Sequence, residues 1–163
     1  MSVSLESRCL FYLTAVYAPV LCEERRTFLQ EMSSIIPQTD NSIVCGDFNA
    51  VKDVRKDRLS QVGTVPRTAS TTNLRSFVCQ MNLVDIFRER HPDQPGFTWG
   101  QAHHQLAERI DMFFVTPSLS PDVDQIRTQP CVCSDHNSVT ISVNVLNGPV
   151  RGSGYWRMII DGA

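Results

Sequence analysis

The N-terminal part of the chain alternates a strand-like run, a helical pattern and a second strand-like run, and this order restricts the possible folds most. Arg8–Tyr17 is rich in apolar, β-branched and aromatic residues and stops before Pro19, which predicts a buried strand. Apolar residues between positions 21 and 36 then recur on one face of a helix that Pro37 ends. Residues 42–46 predict a second, short strand. This order predicts a layered domain in which helices cover a sheet.

The later part of the chain predicts one more helix and several strands. Residues 51–67 are polar and predict a long loop. Residues 70–72 offer hydroxyl N-caps for a second helix, since apolar residues recur at helical spacing from Leu74 to Met81. Strand-like runs follow at residues 97–99, 110–115 and 139–145. The predicted fold class is α/β or α+β, built around sheets.

Composition and charge limit the classes of protein that fit this sequence. With 163 residues, of which 42% are hydrophobic and 20% charged, the chain suits one globular domain with a sizeable core. A net charge of −2 argues against a protein that coats duplex DNA by charge alone. No apolar stretch reaches the roughly 20 residues of a membrane span, and residues 1–6 lack the features of a signal peptide. Six cysteines, several within apolar runs, are typical of reduced proteins, so a nuclear or cytoplasmic location is expected.

Polar side chains occur at or beside the predicted strands, where catalytic and binding sites are common. An acid within an apolar strand is costly unless it is paired or has a function. A carboxylate that can activate water, an amide that can hold an anion and a histidine oriented by a carboxylate form a set suited to hydrolysis. The candidate residues are Tyr17, Asp47, Asn49, Asp111, Asp135 and His136.

Two of these features also have a purely structural interpretation that the sequence leaves open. For Asp47 and Asn49 taken alone, an Asx-turn is the favoured interpretation. Asp111 could be the ion-pair partner of Arg109 or Arg127.

The remaining candidates have structural alternatives as well. Tyr17 could be a core aromatic, Asp135 could cap a short turn, and a lone histidine such as His136 is more often structural than catalytic. Cys131, Cys133 and His136 are zinc-ligand residue types. Structural zinc, however, commonly takes four ligands with wider cysteine spacing, so a zinc site is disfavoured.

Seven sequence blocks resemble, in order, those of the endonuclease/exonuclease/phosphatase superfamily. The resemblance is greatest to the endonuclease domain of non-LTR (LINE-type) retrotransposon polyproteins. A single block is a weak signal, but seven in order over nearly the whole chain are specific. The blocks are AVYAP (15–19), GDFNAV (46–51), DR (57–58), LVDIFRERHPDQPGFTW (83–99), RIDMFFV (109–115), SDH (134–136) and GSGYW (152–156).

The resemblance implies a fold, an activity and partners. The implied fold is part of a four-layer α/β sandwich, with two facing mixed sheets and outer helices, that lacks the first strands of the family. The implied activity is metal-dependent nicking of DNA by phosphodiester hydrolysis. Residues 1–145 would form the endonuclease-like domain, and residues 146–163 a linker-like tail toward an absent reverse transcriptase region. DNA is the implied partner, with a reverse transcriptase domain in the parent polyprotein; we expect a monomer that contacts no membrane.

The resemblance also implies a role for each residue at the reacting phosphate. Asp47 would position or deprotonate the attacking water, and Asn49 would help to orient that water and the phosphate. His136 would stabilise charge on the phosphoryl oxygens or transfer a proton. Asp111 would lie in the same cluster, and Tyr17 would contact the phosphate.

The implied metal and substrate contacts complete this site. Asp135 would hold His136 in its working tautomer or lie on the metal side, and it is the one metal ligand that the resemblance assigns here. Thr98 and Trp99 would shape the floor of the substrate groove. Mg²⁺ (or Mn²⁺) suits such an oxygen-rich site.

The sequence departs from the family in its metal ligands. The family carries an asparagine and its principal metal-ligand glutamate ahead of the tyrosine strand, and neither block occurs before Arg8 in this sequence. The sequence therefore predicts an N-terminally truncated domain that binds Mg²⁺ or Mn²⁺ weakly if at all, with impaired or absent nicking.

Two other functions share the fold. One is a catalytically dead DNA-binding or interaction relic, which differs from an endonuclease in whether metal-dependent cleavage occurs. The other is a phosphatase of lipid or sugar phosphates, against which the retroelement-like DR, FTW and GYW blocks argue.

Overall fold

The computed structural model describes residues 2–5, 8–60, 68–101 and 106–144 of the chain. The predicted linker-like tail, residues 146–163, lies outside these ranges. The helices are α1 (Cys22–Ile35), α2 (Thr68–Gln80) and α3 (Ile86–Arg90), with a 3-10 turn at Ser120–Asp122. The strands are β1 (Ser2–Leu5), β2 (Arg8–Tyr17), β3 (Ser42–Asp47), β4 (Arg58–Ser60), β5 (Val84–Asp85), β6 (Trp99–Gln101), β7 (Leu106–Glu108), β8 (Asp111–Val115), β9 (Val123–Gln129) and β10 (Ser138–Val143).

A mixed sheet with the strand order β1-β2-β3-β8-β5 forms the centre of the fold. Strands β2 and β3 are parallel and are joined by α1, as the predicted strand, helix and strand require. Strand β8 pairs antiparallel with β3. The register of β3 with these two neighbours decides which polar residues meet at the end of the sheet.

Helices α1 and α2 cover one face of this sheet. Their apolar residues, including Leu29 and Leu74, pack with Val44 and Phe114 from the strands. The ring of Phe48 lies edge-on to that of Phe114, with 5.0 Å between centroids. Because Phe48 is fully buried in this core, the residues on either side of it are held close to the end of β3.

The opposite face of the sheet is covered by α3 and by the antiparallel pair β9 and β10. Ile43 and Val115 of the central sheet pack there with Phe87 of α3 and Ile126 of β9. The described layers are therefore helices, a mixed sheet and a second, two-stranded sheet. This arrangement confirms the α/β class and the facing sheets. None of the described helices is long and apolar enough to cross a membrane.

Several elements differ from the sequence prediction. The loop predicted for residues 51–67 contains β4, which pairs with β7 in a small sheet of order β4-β7-β6. Strand β9 was not predicted, because Val123 and Ile126 are its only strongly apolar residues; pairing with β10 forms it. The strand expected at residues 97–99 begins only at Trp99.

Candidate active site

Three neighbouring strands place Tyr17, Asp47 and Asp111 in one row at the end of the central sheet. Asp47 is in register with Tyr17 of β2 on one side and with Asp111 of β8 on the other. Residues paired across neighbouring strands point to the same face, so the three side chains lie next to one another. Tyr17 is 75% exposed, which rules out the core-aromatic interpretation and leaves its phenol open to a ligand.

A glycine brings β2 and β3 together beside this row. Gly46 has a φ of +135°, which side-chain-bearing residues rarely adopt. A Cβ atom at this position would lie 1.9 Å from the carbonyl oxygen of Val16 on β2. Only glycine therefore allows the approach of the two strands that sets Asp47 beside Tyr17.

His136 reaches the same row from the loop between β9 and β10. Its Nδ1 lies 2.8 Å from Oδ2 of Asp111, and its backbone N–H donates to Oγ of Ser134 at 3.0 Å. Among the residues that the structure describes, one potential ligand atom each from Asp47, Asp111 and His136 lie within 4.8 Å of one another. The structure thus brings three sequence-predicted residues into one cluster.

The electrostatics of the cluster favour bound protons. Partial burial alone would lower the pKa of His136, but the hydrogen bond with Asp111 and the charges of Asp111, Asp47 and Asp135 outweigh it and raise that pKa. Burial raises the pKa of Asp47, and the charge of Asp111 adds to this effect, against the hydrogen bond from the backbone of Asn49. Proton binding is therefore favoured at His136 and at Asp47 relative to an ordinary histidine and an ordinary aspartate.

Asn49 fixes the carboxylate of Asp47. Its backbone N–H donates to Oδ1 of Asp47 at 2.8 Å, which is the hydrogen bond of an Asx-turn, and its φ is +47°. Its side-chain Nδ2 donates to the carbonyl of Ala18 at 2.8 Å, and the N–H of Ala18 donates to the carbonyl of Asp47 at the same distance. The structural and the catalytic interpretation of this turn are compatible, because the turn orients Asp47 within the cluster.

Thr98 holds the backbone at Asp111 in place and does not line an open surface. The side chain of Thr98 is buried, and its Oγ1 accepts hydrogen bonds from the backbone N–H groups of Ile110 and Asp111, each at 3.0 Å. This geometry gives Thr98 a positioning role at the start of β8. Its predicted contact with substrate stays a prediction.

Asp135 does not orient His136. Its Oδ2 accepts a hydrogen bond from Nε1 of Trp99 at 3.0 Å, while the imidazole turns to Asp111. Asp135 also lies outside the three-residue cluster. Its metal role stays a prediction, as does the substrate contact of Trp99.

A buried ion-pair network close to the cluster was not predicted from the sequence. Arg109 contacts Asp57 and Asp85, and not Asp111 as one interpretation suggested. Its Nη2 donates to Oδ2 of Asp85 at 2.6 Å, and Arg88 Nη2 lies 2.5 Å from Oδ1 of Asp57. The available signal was the occurrence of Asp85 and Arg109 within or beside apolar segments, where a charge needs a partner.

Arg25 is a second buried cation that the sequence did not indicate. It is 1% exposed, and its Nη1 donates to the carbonyls of Pro19 and Val20 at 2.7 and 2.8 Å. Its Nη2 donates to Oγ of Ser70 at 2.6 Å. Arg25 therefore anchors the loop that follows Tyr17 to helices α1 and α2.

Solved structures of known nucleases share this fold. An AP endonuclease from Archaeoglobus fulgidus superposes with a TM-score of 0.65 at 14% identity, over 81% of this chain and 61% of that chain. A variant of the 3′ phosphatase NExo from Neisseria, bound to a product DNA hairpin, superposes with a TM-score of 0.57 at 16% identity, over 74% of this chain and 52% of that chain. At these identities the likeness concerns the fold alone.

Sequence comparison points to mobile elements. The uncharacterized 149 kDa protein of transposon TX1 from Xenopus laevis is 28% identical over 157 residues, which cover 93% of this chain and 12% of that protein. The family described as endonuclease-reverse transcriptase matches residues 11–140. That match covers most of the chain and includes every predicted site residue. The chain belongs to the endonuclease-reverse transcriptase family, within the endonuclease/exonuclease/phosphatase superfamily.

Proposed function

We propose that this chain is a divalent-metal-dependent DNA endonuclease that hydrolyses a phosphodiester bond and leaves a nick. The observation that carries the proposal is the cluster of Asp47, Asp111 and His136, whose potential ligand atoms lie within 4.8 Å of one another. The family membership and the DNA hairpin bound to the NExo variant support a nucleic-acid substrate. Because the chain spans 12% of the transposon TX1 protein, the activities of that whole protein are not carried over.

The donor atoms of the cluster suit a divalent cation. Asp47 and Asp111 supply carboxylate oxygens, which Mg²⁺ and Mn²⁺ prefer, and His136, whose Nδ1 is bonded to Asp111, lies beside them for contact with the phosphate. Two carboxylates are a small set for Mg²⁺, so we expect weak binding and slow turnover. When bound, the cation would neutralise charge that develops on the phosphate oxygens.

The protein groups have complementary roles in the attack of water on phosphorus. Asp47 accepts the proton of the attacking water, since its pKa is raised and the Asn49 N–H holds one of its oxygens in place. The raised pKa of His136 favours its protonated form, which attracts the phosphate. Because its Nδ1 is bonded to Asp111, its Nε2 is the nitrogen that can donate a proton to a phosphate or leaving-group oxygen. Tyr17 would contact the same phosphate through its phenol, and its exposure supports this role.

Nicking of supercoiled plasmid tests the proposal. The relaxed form is measured over time with increasing Mg²⁺ or Mn²⁺ and with a chelator. We expect metal-dependent nicking that Asp47→Ala and His136→Ala each reduce about 100-fold or more. Asp93→Ala is the matched control, because its carboxylate is 94% exposed and lies outside the cluster; its rate should equal that of the wild type.

The rival interpretation as a catalytically dead relic predicts a different result. If the wild type nicks no faster than Asp47→Ala and His136→Ala at any metal concentration, yet still shifts DNA in a mobility assay, the endonuclease proposal is wrong. A mobility shift measured alongside the nicking assay therefore separates DNA binding from hydrolysis.

A further inference from the structure

Two cysteines lie in contact in the turn that precedes His136. The Sγ atoms of Cys131 and Cys133 are 3.4 Å apart, and both thiols are free. Cys133 is exposed and Cys131 is partly exposed, while Val132 between them points fully into solvent. The hydrolytic mechanism uses neither thiol. The turn thus presents two adjacent thiols at the surface, beside the cluster.

Hydrogen bonding makes the two thiols unequal. The backbone N–H of Cys133 and, to a lesser extent, its side chain donate to the sulfur of Cys131, and these bonds lower the pKa of the Cys131 thiol. A thiolate rather than a thiol attacks disulfides, so Cys131 is the better nucleophile at neutral pH. Cys133 then lies within reach of the sulfur that has reacted.

We propose that Cys131 and Cys133 form a redox-active dithiol that small disulfides such as oxidised glutathione convert to an intramolecular disulfide. The Cys131 thiolate attacks one sulfur of oxidised glutathione, which forms a mixed disulfide and releases one glutathione thiolate. Cys133 loses its proton and attacks the Cys131 sulfur, which releases the second glutathione. In total the protein loses two electrons and two protons, and one oxidised glutathione becomes two reduced molecules.

A disulfide between Cys131 and Cys133 would affect the candidate active site. Ser134 follows the pair directly, and its Oγ accepts the backbone N–H of His136. A bond between the two sulfurs restricts the backbone of the turn that carries this hydrogen bond. The ring signals of His136 should therefore shift on oxidation, whether or not the chain cleaves DNA.

Mass spectrometry of the intact chain, after exposure to oxidised glutathione and trapping of the remaining thiols, tests the proposal. The wild type should lose two hydrogen atoms, mapped to the peptide that contains both cysteines, and a reductant should restore them. Cys133→Ser should instead retain a glutathione adduct on Cys131. Cys131→Ser should react severalfold more slowly at Cys133. Cys79→Ser, which removes an exposed thiol on α2, is the matched control and should still form the disulfide.

Two results would overturn the proposal. One is the accumulation of separate glutathione adducts on Cys131 and Cys133 without an intramolecular disulfide. The other is a failure of both thiols to react under conditions that modify Cys79. Proton NMR of the His136 ring in the wild type and in Cys131→Ser gives a second readout. Identical spectra before and after oxidation of the wild type would rule out the effect on the site.

Discussion

Arg109 binds Asp57 at two points: Nε donates to Oδ1 at 2.9 Å and Nη2 to Oδ2 at 3.2 Å. The backbone N–H of Arg109 also donates to the carbonyl of Asp57 at 2.9 Å. Both side chains are buried, and the second carboxylate on the guanidinium is that of Asp85. Because Arg109 lies two residues before Asp111, this network fixes the segment that carries Asp111 into the candidate site.

Removal of the Arg109 cation should destabilise the fold strongly. Arg109→Met keeps much of the side-chain volume but leaves two buried carboxylates without their main partner, which we expect to lower the free energy of unfolding by about 3–5 kcal/mol. Urea unfolding followed by circular dichroism measures the change. The control is Arg75→Met, which breaks a largely exposed pair with Asp53 and should cost less than about 1 kcal/mol. Equal losses in the two variants would contradict a structural role for the buried network.

The same network should make stability depend on acid pH. Burial alone would raise the pKa of Asp85, but the charge and hydrogen bonds of Arg109 outweigh it and lower that pKa. A carboxyl with a folded-state pKa below its unfolded value stabilises the fold above the unfolded pKa, about 3.9, and loses this contribution as the pH falls through the folded pKa. Asp85→Asn should therefore be less stable than the wild type near neutral pH and lose less stability on acidification.

Urea unfolding at a series of pH values between about 6 and 2 measures this dependence. Asp93→Asn is the matched control, since its carboxylate is 94% exposed, and it should follow the wild-type curve. If Asp85→Asn and the wild type lost stability in parallel, Asp85 would not be a source of the acid sensitivity.

The polar row of the site could largely be predicted from sequence, because its signal is local. Asp47 ends an apolar strand at a glycine, and Asp111 interrupts another apolar run, so each acid is conspicuous without knowledge of the fold. The helices on the sheet were predictable for the same reason, since an amphipathic helix is recognised from apolar residues that recur at helical spacing within one short segment.

The family resemblance placed Asp47, Asp111 and His136 in one cluster, but their individual hydrogen-bond partners could not be predicted, because these depend on contacts between distant segments. Asp111 lies beside Asp47 because of the register of β3 with β8. The turn before β10 directs His136 to Asp111 and not to its neighbour Asp135. The partners of Arg109 likewise come from residues 52 and 24 positions away. The sequence identifies such charged residues, but the fold determines which partners they bind.

Loss of the Thr98 hydroxyl should disturb Asp111 without removing any charged group. Thr98→Val has nearly the same shape but leaves the N–H groups of Ile110 and Asp111 without their acceptor, which should cost about 1–3 kcal/mol of stability. Thr98→Ser keeps the acceptor and should lose only the smaller contribution of one buried methyl group. Urea unfolding ranks the variants, and exchange of the Asp111 amide with deuterium should be faster in Thr98→Val than in Thr98→Ser. An equal rate in both would show that the hydroxyl does not hold this segment.

The partner of His136 can be identified by its titration. Asp111 supplies the hydrogen bond and the nearest charge that raise the pKa of His136 against the opposing effect of burial, whereas Asp135 acts only through its charge. Asp111→Asn should therefore lower the His136 pKa more than Asp135→Asn, measured from the ring proton shifts by NMR without added metal. A group with a raised folded-state pKa stabilises the fold below its ordinary value, about 6.5 for histidine, and loses this contribution as the pH rises through the folded pKa. Asp111→Asn should accordingly weaken the loss of stability above neutral pH, and a larger pKa change in Asp135→Asn would return Asp135 to the role of partner that the sequence suggested.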